Sequence, residues 1–239
     1  MLRVGVLFSG GKDSTYAAYL ASQRDQLICL ITVFPKSEIS YMFHYPDLNW
    51  TRLQAEAIGI PQITQETPGI KEEELEDLAS ALHHAKETYQ LDGIYTGALA
   101  SSYQRERVEG VCKELGLQCI SPMWGIDTEK HLKRLVRDGF VTMVVSVSAL
   151  GLDRQWLGRI IDDVAVDELI ALGRKFRFNP SLEGGEGETF VLDCPLFKSK
   201  VEVQRAVIHW KHDTGTYEIL EARLVPKISP GSRDVPSLG

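Results

Sequence analysis

No apolar run in the 239-residue sequence approaches the roughly 20 residues that a bilayer-crossing helix needs. The longest, such as 140–147, have the length of a strand, which excludes a helical membrane span. The four cysteines, Cys29, Cys112, Cys119 and Cys194, contain no CxxC pair, and no charged-then-apolar leader opens the chain. A disulfide-stapled secreted protein is therefore disfavoured, and a cytoplasmic location is expected. A basic excess is also missing. The 26 Lys and Arg against 33 Asp and Glu give a net charge of -7, the wrong sign for a general phosphate-backbone binder, so stable nucleic-acid binding is not expected. The imbalance is local: residues 1–120 hold 10 basic and 16 acidic side chains, whereas residues 121–239 hold 16 and 17.

What is present is a chain with 44% hydrophobic residues, long enough for one large core or two modest ones. Residues 4–8 form a strand-like apolar run that passes into Ser9, Gly10, Gly11, Lys12, Asp13 and Ser14, and then into helix-favouring residues 16–23. A second apolar run, 27–34, ends at Pro35; a third, 93–97, precedes a helical stretch at 103–115. Between them Leu75, Leu78, Leu82, Ala85 and Tyr89 recur at steps of three and four, which predicts one buried helix face. The acid run Glu72, Glu73, Glu74, Glu76 and Asp77 reads as a solvated first turn of that helix rather than a metal site. Alternating strands and helices predict a parallel sheet with helices on both faces. After residue 122 the pattern resumes with a helix at 129–137 and a strand at 140–146, then turns β-rich at 189–192, 200–210 and 216–225. The expected division is 1–122, a second unit at 123–227, and a disordered tail at 228–239.

Two glycines between a strand and a helix let backbone N–H groups converge on an anion, with Lys12 adding charge and Ser9 and Ser14 adding hydroxyls. The loop lacks the spacer of a Walker A motif and the third glycine of the dinucleotide fingerprint. The alternative is a plain tight turn with Asp13 or Ser14 as helix cap. Farther on, Glu183, Glu186 and Glu188 are separated by Gly184, Gly185 and Gly187. Glycines there lose backbone entropy without packing, which predicts a loop that brings several carboxylates together and raises some of their pKa values.

The strand–SGGKDS–helix segment resembles the pyrophosphate loop of the adenine-nucleotide α-hydrolases, which split ATP between the α and β phosphates. Three further segments, SYMFH at 40–44, GALASSYQRERVE at 97–109 and EGGEGETFVLDCPLF at 183–197, make residues 1–225 similar to the diphthine-ammonia ligase family. The resemblance implies an α/β, Rossmann-like (HUP-type) ATP-binding domain and a smaller α+β C-terminal domain that binds substrate. It implies AMP-forming amidation of the diphthine carboxylate of translation elongation factor 2 with ammonium. Gly187 departs from the Tyr or Phe usual in the family, and Ser102 from its Asp or Glu.

On this reading ATP is held by Ser9, Gly10, Gly11, Lys12, Asp13 and Ser14, with Mg²⁺ bridging the phosphates and Asp13 as a direct or water-mediated ligand. By the switch-point rule Val33 and Phe34 flank adenine and Gly97 approaches the ribose or α phosphate. Arg107, at a position that the family keeps, is the anion candidate of its helix, while Arg105 and Glu109 fit a surface pair equally well. The catalytic group is Lys12, Glu183, Glu186 and Glu188; His44, Tyr103, Gln104 and Thr189 face the substrate. Trp124 reads first as packing and second as a partner for a trimethylammonium group. A homo-oligomer is compatible with the sequence but not indicated by it. Three alternatives stay open: adenylation of a small molecule, thiolation of tRNA with a cysteine as sulfur carrier, and an ATP-binding module without turnover.

Overall fold

The computed structural model describes residues 1–35, 50–68 and 73–227. His44 and the SYMFH segment, Glu72 and the tail at 228–239 lie outside these residues. Along the chain come β1 (Arg3–Leu7), α1 (Lys12–Arg24), β2 (Gln26–Pro35), α2 (Thr51–Ile58), β3 (Gln62–Thr67), α3 (Glu73–Tyr89), β4 (Gly93–Tyr95), α4 (Ser102–Glu114) and β5 (Gln118–Ile120). Their strands form one parallel sheet in the order β3-β2-β1-β4-β5. The chain continues with α5 (Thr128–Arg137), β6 (Val141–Val147), α6 (Asp163–Phe176), β7 (Gly187–Asp193), β8 (Ser199–Lys211) and β9 (Thr214–Pro226). The second sheet is antiparallel, ordered β7-β6-β9-β8. The expected α/β class with a smaller α+β part is thus observed. No helix among the described residues is long and apolar enough to cross a membrane.

Alternation along the strands sends side chains to two cores. Val4, Val6 and Leu30 face α1 and α2 and join a cluster that runs on through Tyr16, Phe140, Val144, Leu169 and Phe190, so β1 and α1 share one core with the second sheet. Cys29, Ile31 and Val33 face the other way, against Leu78, Leu82, Ala85 and Ile94. Burying each such leucine contributes about 1.5–3 kcal/mol relative to exposure, which is why the three–four spacing in α3 is a dependable signal. Leu75 and Tyr89 pack at the margin of that cluster. The acid run is not uniformly solvated, however: Glu74 is 0% exposed.

The sheet order puts the topological switch at β1 and β4, since the chain leaves β1 toward β2 on one side and returns to β4 on the other. α5 is amphipathic. Asp127 caps it by accepting from Lys130 N at 3.0 Å, and it buries His131, Leu132 and Leu135 while Lys133, Arg134 and Arg137 face outward. The near-neutral charge of the second half is organised in part on the β8–β9 hairpin, where Glu202–Arg223, Arg205–Glu221 and His209–Glu218 pair across the strands.

Candidate active site

A cleft of about 230 Å³ opens at the carboxyl ends of β1, β2 and β4, where the switch-point rule expects a ligand. Its lining includes Leu7, Phe8, Ile31, Val33, Thr96 and Gly97 from the parallel sheet, and Leu182, Glu183, Gly187, Glu188 and Thr189 from the entry into β7. Ser9, Gly11, Lys12, Asp13 and Ser14 form its floor, and Gln104 and Arg105 contribute from α4.

The glycine loop is shaped by contacts far away in sequence. Gly10 adopts φ +81, a left-handed conformation that other residues rarely hold. Its carbonyl accepts from Val191 N at 3.0 Å and from Gln54 Nε2 at 2.9 Å, and Gln54 Nε2 also donates to Val191 O at 2.7 Å. Lys12 N donates to Thr189 Oγ1 at 3.1 Å. The loop is therefore stitched to β7, the strand that carries the glycine-spaced glutamates. Gly97 is required for another reason: a Cβ there would stand 2.7 Å from Ser14 N, so only glycine lets β4 come against the start of α1. The N-cap of α1 is Gly11, with no side chain capping it. The reading of Asp13 or Ser14 as cap is thereby corrected: Ser14 Oγ instead donates to Gly11 O at 3.1 Å and lies 3.1 Å from Ser9 Oγ.

Lys12 is 3% exposed, and its Nζ donates to Asp13 Oδ2 at 2.5 Å. The other oxygen, Asp13 Oδ1, lies 2.8 Å from His131 Nε2. Burial alone would raise the Asp13 pKa, but the Lys12 ammonium and the His131 hydrogen bond outweigh it and hold the carboxylate below its ordinary range. Each oxygen thus has one partner, and a carboxylate oxygen has a second acceptor site beyond that. No cluster of three or more metal-ligating side chains occurs among the described residues.

Glu183 and Glu188 behave differently. Burial, with repulsion from Asp13 added, pushes Glu183 up to about 8; burial pushes Glu188 up to about 7 against the pull of Lys12. Glu183 Oε2 is buried without a hydrogen-bond partner among the described residues. Each carboxyl binds its proton more tightly folded than unfolded. The stability this contributes is fully present below pH 4.5 and lost as pH rises through about 7 for Glu188 and 8 for Glu183. Thermal denaturation between pH 4.5 and 8.5 is expected to show that loss, and Glu183→Gln to flatten its upper part; identical slopes for variant and wild type would remove the assignment.

Several expected residues go elsewhere. Glu186 is absent from the cleft lining: its carboxylate accepts from Asn179 N at 3.2 Å and from Gly184 N, because a glycine turn exposes N–H groups that need an acceptor. Arg107 stacks on Tyr103, its guanidinium carbon 3.7 Å from the ring centroid, and neither lines the cleft. Arg105 lines it instead, while pairing with Glu109 at 2.5 Å and lying 4.5 Å over Trp124. Phe34 borders a separate depression with Arg52, Glu56 and Gln62. A side chain at position 187 would collide with Ser146 O across the β6–β7 pairing, which accounts for Gly187 in this chain. No cysteine lines the cleft, and burial pushes Cys29 and Cys194 up to about 12, which suits packing rather than sulfur transfer.

Sequence reasoning missed Gln54 and His131. Gln54 left no local signal, since both of its acceptors are distant backbone carbonyls. His131 left one: it is a polar residue on the face of α5 that also carries Leu132 and Leu135.

Residues 2–119 match the family model "Diphthamide synthase N-terminal domain" and residues 127–225 match "Diphthamide synthase C-terminal domain". Diphthine-ammonia ligase of Homo sapiens is 36% identical over 230 residues, covering 87% of this chain and 86% of that protein. Diphthine-ammonia ligase of Schizosaccharomyces pombe is 34% identical over 247 residues, which cover 96% of this chain but 40% of that longer protein. A solved structure of a predicted subunit of tRNA methyltransferase from Methanocaldococcus jannaschii covers 81% of this chain and 98% of its own, with a TM-score of 0.43 and 17% identity.

Proposed function

The chain belongs to the diphthamide synthase family, and from that premise we propose that it is an ATP-dependent, AMP-forming ligase that amidates the diphthine carboxylate of elongation factor 2 with ammonium in the cytoplasm. The observation that carries the proposal is the Lys12 N to Thr189 Oγ1 contact. Through it the phosphate-loop candidate and the carboxyls of Glu183 and Glu188 face one cleft. We assign 1–122 to nucleotide and 123–227 to substrate.

A carboxylate oxygen is a poor leaving group, so the substrate oxygen first attacks the α phosphorus of ATP and pyrophosphate departs. Gly10 and Gly11, the start of α1 and Lys12 stabilise the charge that grows on the departing group. Lys12 moves from Asp13 toward the phosphates, and Asp13 keeps His131. Val33 flanks the base, and Gly97, which lines the cleft, stands where the ribose and α phosphate approach the sheet. Ammonia then attacks the acyl carbon, the bond to AMP breaks, and the proton shed by nitrogen passes to Glu188, whose raised pKa suits a proton acceptor near neutrality. Mg²⁺, when bound, would neutralise charge on the triphosphate, and Glu183, with a buried unpartnered oxygen, and the Asp13 oxygen that Lys12 vacates would hold it. Gln104 and Arg105 are the anion-facing groups of α4.

Incubation with ATP, Mg²⁺, ammonium and diphthine-modified elongation factor 2 is expected to release AMP and leave the factor about one mass unit lighter. ADP as the nucleotide product, or an unchanged factor mass, would overturn the reading.

A further inference from the structure

The carboxylate of Asp13 bridges two cations or donors from different parts of the chain: Lys12, its neighbour in the glycine loop, and His131, contributed by α5. The imidazole is held tightly. Its side chain is 0% exposed and stands edge-on to Tyr16, with ring centroids 5.4 Å apart at 72°. Tyr16 is itself fixed, its hydroxyl donating to Asp138 Oδ2 at 2.7 Å beyond the end of α5. Because an ionised carboxylate only accepts, the His131 Nε2 facing it carries the hydrogen. His131 Nδ1 is buried with no hydrogen-bond partner among the described residues. A histidine used for packing alone leaves a polar atom unsatisfied where leucine would fill the space at no such cost. Among the described residues, the single polar contact that this imidazole makes is to the loop.

We infer that His131 is a positioning residue for the nucleotide reaction: it holds the Asp13 carboxylate, and through it sets where the Lys12 ammonium stands. This rests on the ligase reading proposed above and extends it to a residue outside every motif. The physical reason is competition. Asp13 and a triphosphate both attract Lys12, and the donor from His131 satisfies one Asp13 oxygen, which weakens the hold of Asp13 on the lysine and stops the carboxylate from rotating. Without the imidazole, Oδ1 is left unsatisfied, the carboxylate turns, and the ammonium is drawn away from the departing pyrophosphate. The loss falls on the transition state, where charge on the leaving group is greatest, more than on ground-state ATP binding.

The test is a set of variants assayed for AMP formation with ammonium and modified elongation factor 2. His131→Leu is expected to lower kcat about tenfold with KM for ATP within about threefold of wild type. His131→Gln, whose amide N–H extends as far as Nε2, is expected to restore most of that rate, and His131→Asn, which is too short, is not. In the Asp13→Asn background His131→Leu is expected to add nothing, since the residue acts through the carboxylate. Wild-type kcat in His131→Leu, equal impairment of the Gln and Asn variants, or multiplying effects in the double variant would each overturn the inference. If His131→Leu does not fold, the contrast between Gln and Asn decides. If the wild type releases no AMP, the ligase reading fails; crystal structures of the wild type and the His131→Gln and His131→Asn variants are then compared, and an Asp13 carboxylate orientation and Lys12 Nζ position that are the same in all three overturn the inference.

Discussion

Lys12→Gln is expected to lower kcat/KM for AMP formation by on the order of 10² to 10³, the loss found when one preorganised charge-stabilising donor is removed from a reacting site. Glutamine is the informative replacement. It keeps a donor for Asp13, whereas alanine would leave a mostly buried carboxylate with His131 alone and confound catalysis with stability. The loop should keep its shape, because Gly10 is held by Val191 and Gln54 and the backbone of Lys12 by Thr189, none of which involves the ammonium. A melting temperature within a few degrees of wild type, measured beside the AMP assay, separates the two effects. Activity within tenfold of wild type would mean that the lysine is a structural partner of Asp13 and not a phosphate ligand.

Glu188→Gln should cost about 10² or more in the rate of amide formation, in the range attributed to a positioned proton acceptor. The partial reaction that needs no proton acceptor, exchange of pyrophosphate into ATP, should survive. The pH profile gives the sign. A proton acceptor works as the carboxylate, so wild-type amide formation should rise with pH through about 7, and that limb should vanish in the variant. Glu186→Gln is the internal contrast, since its carboxylate closes the 184–186 turn rather than facing the cleft. Equal losses in both variants, or amide formed at the wild-type rate by Glu188→Gln, would return the glutamates to a shared structural role.

The contrast between Glu186 and Glu188 also shows where sequence reading stops. Three carboxylates spaced by glycines are legible as a group that a loop brings together, and nothing local distinguishes them. Their separation comes from β7: pairing with β6 begins at Gly187, so Glu188 lies on a strand edge facing the glycine loop while Glu186 stays in the turn. The same holds on α4. Arg105 and Arg107 are two residues apart and chemically alike, yet one reaches the cleft and the other lies on Tyr103, because successive odd positions on a helix point about 200° apart.

Elements with strong periodic burial are legible in the sequence: β1, the run ending at Pro35, the α3 face, α5, β6 and the β8–β9 hairpin. α2, β3 and β5 are not, since they are short or their buried positions are filled by small and polar residues such as Ala55, Gln54 and Thr67. α6, which buries Val166, Leu169 and Ile170 at helical spacing, carries such a signal, and sequence reasoning missed it.

By itself the sequence determined that a strand runs into a glycine loop and a helix, that carboxylates cluster on a second glycine-rich segment, and that no long apolar run or net basic excess accompanies them. These are properties of neighbours along the chain, set by backbone sterics, periodicity and charge. Only the tertiary structure decided that the two segments meet, through Lys12 N and Thr189 Oγ1, 177 residues apart. It alone brought Gln54 and His131 to the loop and raised Glu183 and Glu188 while holding Asp13 low. Burial and the distance to another charge fix each of those outcomes, and both are quantities of the folded chain.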